Sequence, residues 1–389
     1  MRKQKGNAAY IKNMNIKIVL DCIIEHEPIS RSEISKRVMI SKPTVSQLVN
    51  HLIVEGFVYE TGMGNSTTTG GRKPVQLCFN PKTSYLIGVD IGGSKVASGI
   101  TDLKGRVYSY REFATQEFLD EGLFKRLHTD IEEMLTELKL TTKNVLGIGV
   151  GVAGVTDIEK GVVINAPALA WQNCPIREKL STYFELPIFV DNDVNISVLG
   201  EHWIGAGVDK TNIIYISIGT GIGSGIILNG NLYRGSNYSA GEFGYQVTDR
   251  QMARNFNPVV EGFGFLESMS GGISIGQQLS EKIKKQVTAK EAFEMADNGD
   301  ENAQEVIQFA IENLGLGISN YISLFDPEII ILGGGISGSY PIFKDQLDEI
   351  IKKFTPRKCE VIPAKLGKEA GVIGACALLL KEYDSIYTI

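Results

Sequence analysis

The first segment that could do chemistry lies near residue 90, where a β-like run leads into a glycine pair. Residues 88–105 read GVDIGGSKVASGITDLKG, with Asp90 between apolar residues and with Ser94 and Lys95 directly after the glycines. Glycine lets the backbone approach a ligand closely, and the exposed N–H groups of such a turn bind anionic oxygens. The segment is therefore typical of a turn that admits phosphate.

A different chemistry is indicated near residue 45, where a helix carries short polar side chains. Val45, Leu48, Val49 and Leu52 have helical spacing, so these four should face a core. The other face offers donors and acceptors of the kind that reach base edges and phosphates. The expected DNA-contacting residues there are Ser41, Lys42, Thr44, Ser46, Gln47, Asn50 and His51.

The elements that position this face also follow from the sequence. Residues 11–26 have helical periodicity, and Ser30 with Glu33 forms a capping box that predicts a second short helix to about Val38. Ser41 is a second N-cap, so the polar helix begins there. Three helices with a short turn between the second and third make a helix-turn-helix.

A β-hairpin wing is predicted after the third helix. Residues 57–61 and 75–79 alternate between apolar and polar, and a Gly/Ser/Thr-rich stretch separates them. Arg72 and Lys73 lie at the tip of the predicted wing, in a basic segment of a type that enters a minor groove. Residues 1–80 are thus predicted to be a winged helix-turn-helix DNA-binding domain.

The charge distribution agrees with a DNA-binding head on an acidic body. Residues 1–80 hold eleven Lys or Arg and six Asp or Glu, for a net charge of +5, which leaves −11 for the rest of a chain whose total is −6. A basic module meets polyanions. No apolar run approaches the roughly 20 residues that span a bilayer, and no secretory signal is evident. The five cysteines and four histidines are scattered, which favours a reduced, cytoplasmic protein.

The remaining residues alternate β-like and helical stretches in two similar halves, which predicts a two-lobed α/β body with a cleft. The expected lobes are residues 83–205, joined by a C-terminal helix at about 370–384, and residues 206–369. Gly149, Gly151 and Gly154 form a literal GxGxxG, but no acidic residue follows near position 174. Close strand packing and a tight turn explain these glycines better than a dinucleotide site.

With these motifs in order, the chain resembles the ROK family of bacterial repressors and sugar kinases, which share an actin-like, ribonuclease-H-like ATPase fold. The winged head ending in GGRKP resembles the repressor branch, including its xylose-responsive members. The resemblance implies a nucleotide site built from two phosphate loops and an adenosine-side loop, with MgATP as a possible ligand. Its residues here are Asp90, Gly92, Gly93, Ser94, Lys95, Gly219, Thr220, Gly221, Gly333, Gly334 and Gly335.

The resemblance also implies a sugar site. Asn192 matches a residue that binds a sugar hydroxyl, and Asp193 matches the catalytic general base of the kinases. Glu242 and Glu267 match sugar-binding glutamates. The expected sugar-contacting set is Gly154, Asn192, Asp193, Glu242, Tyr245 and Glu267.

Two departures from the family pattern stand out. The family's structural zinc is held by one histidine and three cysteines, but these positions are Tyr245, Pro258, Val260 and Phe265 here, so we expect no zinc. An apolar cluster of Val260, Phe263 and Phe265 is the expected brace instead. Ala168 stands where relatives commonly place a sugar-contacting asparagine, which leaves the identity of the sugar open.

Three functions remain open at this level: a sugar-responsive repressor, an ATP-dependent sugar kinase with an appended head, and a repressor that binds ATP without turnover. The first and third are favoured, because a DNA-binding head has no evident purpose in a kinase. The expected partners are double-stranded operator DNA, a sugar effector and a second copy of the chain, as a homodimer or homotetramer. No membrane partner is expected.

Overall fold

The head is the first unit of the fold. The structure, a computed structural model, describes residues 8–63, 74–119 and 122–383. The wing-tip residues Arg72 and Lys73 lie outside the described residues. The head consists of α1 (Ala8–His26), β1 (Ile29–Ser30), α2 (Arg31–Val38), α3 (Lys42–Val54), β2 (Val58–Met63) and β3 (Val75–Phe79), and its strands pair in the order β1-β3-β2.

Local signals in the head sequence produce the predicted helix starts. The hydroxyl of Ser30 accepts the backbone N–H of Glu33, and the Glu33 carboxylate accepts the N–H of Ser30, so the capping box is confirmed. The side chain of Ser41 caps α3 by accepting the N–H of Thr44. Burial of the four core-facing residues of α3 is also confirmed: Val45, Leu48, Val49 and Leu52.

The first lobe is built around a five-stranded sheet and a small second sheet. Its elements are β4 (Tyr85–Ile91), β5 (Lys95–Asp102), β6 (Val107–Ala114), α4 (Gly122–Glu137), β7 (Val145–Val152), β8 (Val155–Asp157), β9 (Val162–Ala166), β10 (Trp171–Cys174), α5 (Ile176–Ser181), β11 (Ile188–Asn192) and α6 (Asp193–Ile204). The strand order of the main sheet is β11-β7-β4-β5-β6, and that of the small sheet is β10-β9-β8.

The second lobe also has a five-stranded sheet. Its elements are β12 (Ile213–Ile218), β13 (Ile222–Leu228), β14 (Asn231–Leu232), α7 (Arg250–Ala253), α8 (Phe265–Ser270), α9 (Gly272–Ile283), α10 (Ala289–Asp297), α11 (Glu301–Phe325), β15 (Ile329–Gly333), α12 (Tyr340–Phe354) and β16 (Glu360–Pro363). The strand order of this sheet is β14-β13-β12-β15-β16. The last helix, α13 (Ala370–Glu382), returns to the sheet of the first lobe.

The two main sheets share one connectivity, which confirms two similar halves. In each, three antiparallel strands are followed by two parallel additions: β4 pairs antiparallel with β5 and parallel with β7, as β12 does with β13 and β15. Such a parallel step needs a crossover connection, which accounts for the helices between the strands. The predicted two-lobed α/β body is therefore correct.

Helices α6 and α13 pack on each other between the sheets. Gly149 of the GxGxxG lies on β7 under α13, and a β carbon there would stand 1.8 Å from the carbonyl oxygen of Ala375. This glycine therefore serves close helix–sheet packing, as the sequence indicated. Among the described residues, no helix has both the length and the apolar character needed to cross a bilayer.

The head packs on the body through a shared apolar core. Leu77 and Phe79 of the wing belong to the same buried cluster as Leu379 and Leu380 of α13. Polar contacts strengthen the junction, because the hydroxyl of Thr83 donates to the carbonyl oxygen of Gly56 over 2.6 Å. The position of the head is thus tied to the C-terminal end of α13.

Candidate functional site

The polar face of α3 is open to solvent, as a DNA-contacting surface requires. Lys42, Gln47 and Asn50 are exposed together with Ser41 at the helix start. Thr44, Ser46 and His51 are partly exposed. The seven residues near the third helix that the sequence assigns to DNA contact therefore lie on or beside one accessible helix, while the other two, Arg72 and Lys73, lie outside the described residues.

Arg31 is a residue of this surface that the sequence did not single out. Its Nη2 donates to Oδ1 of Asn50 over 3.1 Å, and its Nη1 pairs with the carboxylate of Glu60 on β2 over 3.0 Å. One guanidinium therefore joins the start of α2, the exposed face of α3 and the wing. Its partners are 19 and 29 residues away along the chain, so no local pattern could have indicated the contact.

Asn192 and Asp193 lie where β11 runs into α6, at the junction of the two lobes. The Asn192 Oδ1 caps α6 by accepting the N–H groups of Val194 and Asn195, at 2.9 and 3.1 Å. Its Nδ2 donates to the carbonyl oxygen of Gly154 over 3.1 Å. The structure thus brings three residues of the expected sugar set together at one helix N-terminus.

Two glutamates of the second lobe lie close together, and one of them, Glu242, is close to Asp193. Burial raises the pKa of Glu242, and the charges of Glu267 and Asp193 raise it further. Glu267 is held by backbone, since its carboxylate accepts the N–H of Ile222 at 2.8 Å and of Gly264 at 3.1 Å, while burial raises its pKa. Clustered carboxylates of this kind accept paired hydroxyl donors, which suits a polyol.

The predicted first phosphate turn connects β4 and β5. Burial, and next the charge of Asp193, raises the pKa of Asp90 to about 7, so Asp90 belongs to the same acidic cleft. The turn closes through a backbone hydrogen bond from Gly92 to Lys95 over 3.0 Å. The side chain of Lys95 pairs with Glu112 of β6 over 3.1 Å, and Ser94 is exposed. A β carbon on Gly93 would meet that of Ala168 at 2.6 Å, which places this turn against the loop where the family asparagine is missing.

A cavity of about 950 Å³ opens in the second lobe, beside the predicted second phosphate loop and the predicted adenosine-side loop. Gly219, Thr220 and Gly335 line it, whereas Gly221 packs against the Glu267 carboxylate, and Gly333 and Gly334 shape the turn after β15. Three cations that the sequence did not single out also line it: Lys284, Lys285 and Lys290. Glycine loops and lysines around one cavity suit an anionic ligand of nucleotide size.

The loop that replaces the zinc motif is braced by aromatic rings. Phe265 is buried, and its ring lies 5.2 Å from that of Phe256. Phe256 is therefore an aromatic partner of Phe265 that the expected cluster of Val260, Phe263 and Phe265 did not include. Val260 and Phe263 are half-buried and share a backbone hydrogen bond. Tyr245 is 57% exposed, and its hydroxyl donates to the carbonyl oxygen of Gly262 over 2.8 Å. In the described part of the chain, no group of three or more His, Cys, Asp or Glu residues could hold a metal ion.

Known proteins resemble both parts of the chain. A family model described as ROK family matches residues 86–382, and one described as MarR family matches residues 17–62. The xylose repressor of Caldicellulosiruptor bescii is 32% identical, over 97% of this chain and 98% of its own length. A solved ROK family transcriptional regulator, a homolog of the E. coli MLC protein, superposes with a TM-score of 0.80 at 25% identity, covering 95% of this chain and 96% of that one. A ROK family glucokinase from Streptomyces griseus, solved with glucose and AMPPNP, gives 0.66 at 28% identity, covering 76% and 99%.

Proposed function

The chain belongs to the ROK family, and we propose that it is a sugar-responsive transcriptional repressor. In this proposal α3 binds operator DNA in the major groove, and the acidic cleft between the lobes binds a sugar. The two conformations that the sugar distinguishes differ in lobe closure, and the closed one releases DNA. The relative named a xylose repressor makes a pentose the first sugar to test.

The observation that carries this proposal is the shared core of head and body. A head that was appended to a kinase without a functional link to it would not need to bury Leu77 and Phe79 against the last turns of α13. The solved regulator matches 95% of the chain, head included, whereas the glucokinase matches 76%. A head packed on the ligand-binding body is the arrangement that lets a ligand alter DNA binding.

The direct test is DNA binding with and without sugar. Labelled duplexes selected by the protein from a randomised pool are titrated at fixed salt, because phosphate contacts make the affinity salt-dependent. D-xylose, D-glucose and N-acetylglucosamine are then added separately. We expect at least one sugar to weaken binding, while a protein that selects no duplex, or responds to none of the three, would contradict the proposal.

A second candidate is a sugar kinase, favoured by the position of Asp193. Asp193 lies in the acidic cleft with Asp90, and the glycine loops line a cavity in the second lobe, so the residues for sugar and nucleotide share one body. Bound MgATP would supply the γ-phosphoryl group, and Asp193 would take the proton of the attacking hydroxyl. Sugar-dependent ADP release that Asp193→Asn eliminates would support this activity. Nucleotide binding without ADP release would support a repressor with ATP as a second ligand.

Metal content and assembly complete the proposal. We propose that no structural zinc is present, because Tyr245, Pro258, Val260 and Phe265 offer no thiolate or imidazole. One equivalent of zinc per purified chain would refute this. We also propose a cytoplasmic homodimer or homotetramer on a two-fold symmetric operator. Light scattering of the chain with and without the selected duplex measures the assembly.

A further inference from the structure

One arginine of the second lobe reaches across to two acids of the first-lobe side. Arg234 follows β14, and its Nε donates to Oδ2 of Asp191 over 2.7 Å. Its Nη2 donates to Oε1 of Glu382, at the end of α13, over 2.9 Å. The Arg234 side chain is 16% exposed and that of Asp191 only 2%, so the first of these ion pairs is shielded from water and salt.

Asp191 supports the sugar motif from behind. Its Oδ1 accepts the backbone N–H of Asn192 over 2.7 Å and the Nδ2 of Asn195 over 2.9 Å. Among the described residues, every hydrogen bond of this carboxylate thus goes either to the motif or to Arg234. Loss of Arg234 from this position would leave a buried charge with fewer partners next to Asn192, a costly state that the motif must relax to accommodate.

Glu382 lies on the last turn of α13, which touches three parts of the molecule. Leu379 and Leu380 of this turn lie in the apolar core shared with the head. The ring of Tyr383 meets that of Phe189 on β11 at 6.5 Å. Lys381 donates to the carbonyl oxygen of Gly230 in the second lobe over 3.1 Å. The polar side of the turn is therefore held by the second lobe while its apolar side holds the head.

We infer that Arg234 couples the sugar cleft to the DNA-binding head. Arg234 moves with the second lobe, whereas Asp191 and Glu382 move with the first-lobe sheet on which α13 packs. A change in lobe closure therefore alters both ion pairs together, at the sugar motif and at the helix end that carries the head. Coupling of this kind needs two conformations whose balance both ligands shift, and it is reciprocal.

This inference rests on the proposed function, and Glu382→Ala separates the two. Alanine favours helix, and the Glu382 side chain is 35% exposed, so the variant should fold. Glu349→Ala, an exposed glutamate of α12, is the matched control. DNA affinity is measured by anisotropy on the selected duplex with and without saturating D-xylose, or whichever of D-glucose and N-acetylglucosamine releases the wild type. Sugar affinity is measured by calorimetry with and without that duplex.

In the wild type and in Glu349→Ala, sugar should weaken DNA binding by about 5- to 150-fold, the usual range of such coupling. In Glu382→Ala we expect that factor to fall at least about threefold, with sugar affinity in the absence of DNA changed less than about twofold. By linkage, the effect of DNA on sugar affinity falls by the same factor. Arg234→Gln should lose the coupling and some sugar affinity as well, since Asp191 loses its charged partner.

Three results would overturn the inference, and they can be told apart. If Glu382→Ala responds to sugar by the same factor as the wild type, Arg234 and Glu382 only stabilise the fold and the inference is wrong, while the repressor function stands. If no sugar affects DNA binding by the wild type, the proposed function fails and the inference fails with it. If Glu382→Ala binds sugar more than about tenfold more weakly in the absence of DNA, Glu382 contributes to sugar binding instead of coupling.

Discussion

The carboxylate of Glu201, which is fully buried, accepts the backbone N–H of Lys365 over 2.9 Å and thereby joins two distant segments that cross between the lobes. The same Oε1 accepts the N–H of Leu366 over 2.9 Å, and Oε2 accepts that of Ala206 over 2.7 Å. Ala206 lies in the crossing from α6 to β12, and residues 365–366 lie in the crossing from β16 to α13. One side chain therefore holds both covalent connections between the lobes.

Glu201→Ala should destabilise the protein by about 3 kcal/mol, because three partly buried N–H groups lose a charged acceptor and a hydrogen bond to a charged group contributes about 1.5–3 kcal/mol. Glu201→Gln keeps Oε1 and replaces only the other oxygen by an amide, so its loss should be smaller, about 1–2 kcal/mol. Urea unfolding measures both. Glu185→Ala, at an exposed position, should stay within about 0.5 kcal/mol of the wild type. A Glu201→Ala protein as stable as that control would contradict the role of Glu201 in holding the two connections between the lobes.

Replacing both Gln47 and Asn50 with alanine should remove sequence-specific DNA binding. A good side-chain contact to a base is worth about 1–3 kcal/mol, so the selected duplex should bind at least about tenfold more weakly, while a scrambled duplex changes little. Anisotropy titrations of the two duplexes measure the difference. Sugar that binds the folded body should raise the melting temperature of this variant as much as that of the wild type, which would show that the body is intact. Unchanged discrimination between the duplexes would exclude α3 as the reading element.

The residues that the sequence predicted well are those whose partners are close along the chain. Ser30 and Glu33 are three residues apart, and the core positions of α3 repeat with the helical period, so local geometry alone specifies them. The family resemblance supplied the positions of Asn192 and Glu242. Arg234 could not be found this way, because its partners Asp191 and Glu382 are 43 and 148 residues away and meet it only when both lobes are folded.

The same limit applies to Gly149, for which the sequence predicted close packing of its strand without identifying the partner. Gly149→Ala should strongly destabilise the body, because the added β carbon would stand 1.8 Å from the backbone oxygen of Ala375, and neither the strand nor α13 can yield cheaply. A loss of about 3 kcal/mol or more is expected in urea unfolding. Gly338→Ala, where nothing lies within 4 Å of the new carbon, is the control and should be near neutral. Equal stability of the two variants would show that α13 does not rest on β7.

The acidic cleft predicts a pH dependence of stability. Burial raises the pKa of Asp193 to about 6, and burial with the charge of Asp193 raises that of Asp90 to about 7, both from 3.8. The folded protein thus keeps these protons at pH values where the unfolded chain has lost them. The protonated carboxyls of Asp90 and Asp193 therefore make their full contribution to the free energy of unfolding below about pH 4. That contribution is lost as the pH rises to about 7.

Asp90→Asn, which cannot ionise, should therefore be more stable than the wild type at pH 8, by about 1 kcal/mol or more, and should lose more than half of that advantage by about pH 5. Urea unfolding at the two pH values measures the change. Asp326→Asn is the control, because Asp326 forms an exposed ion pair with Arg357 and its effect should be small at both pH values. If the free energies of unfolding of Asp90→Asn and the wild type differed by the same amount at pH 5 and pH 8, the Asp90 carboxyl would not titrate in this range. Its pKa would then not be raised by the cleft.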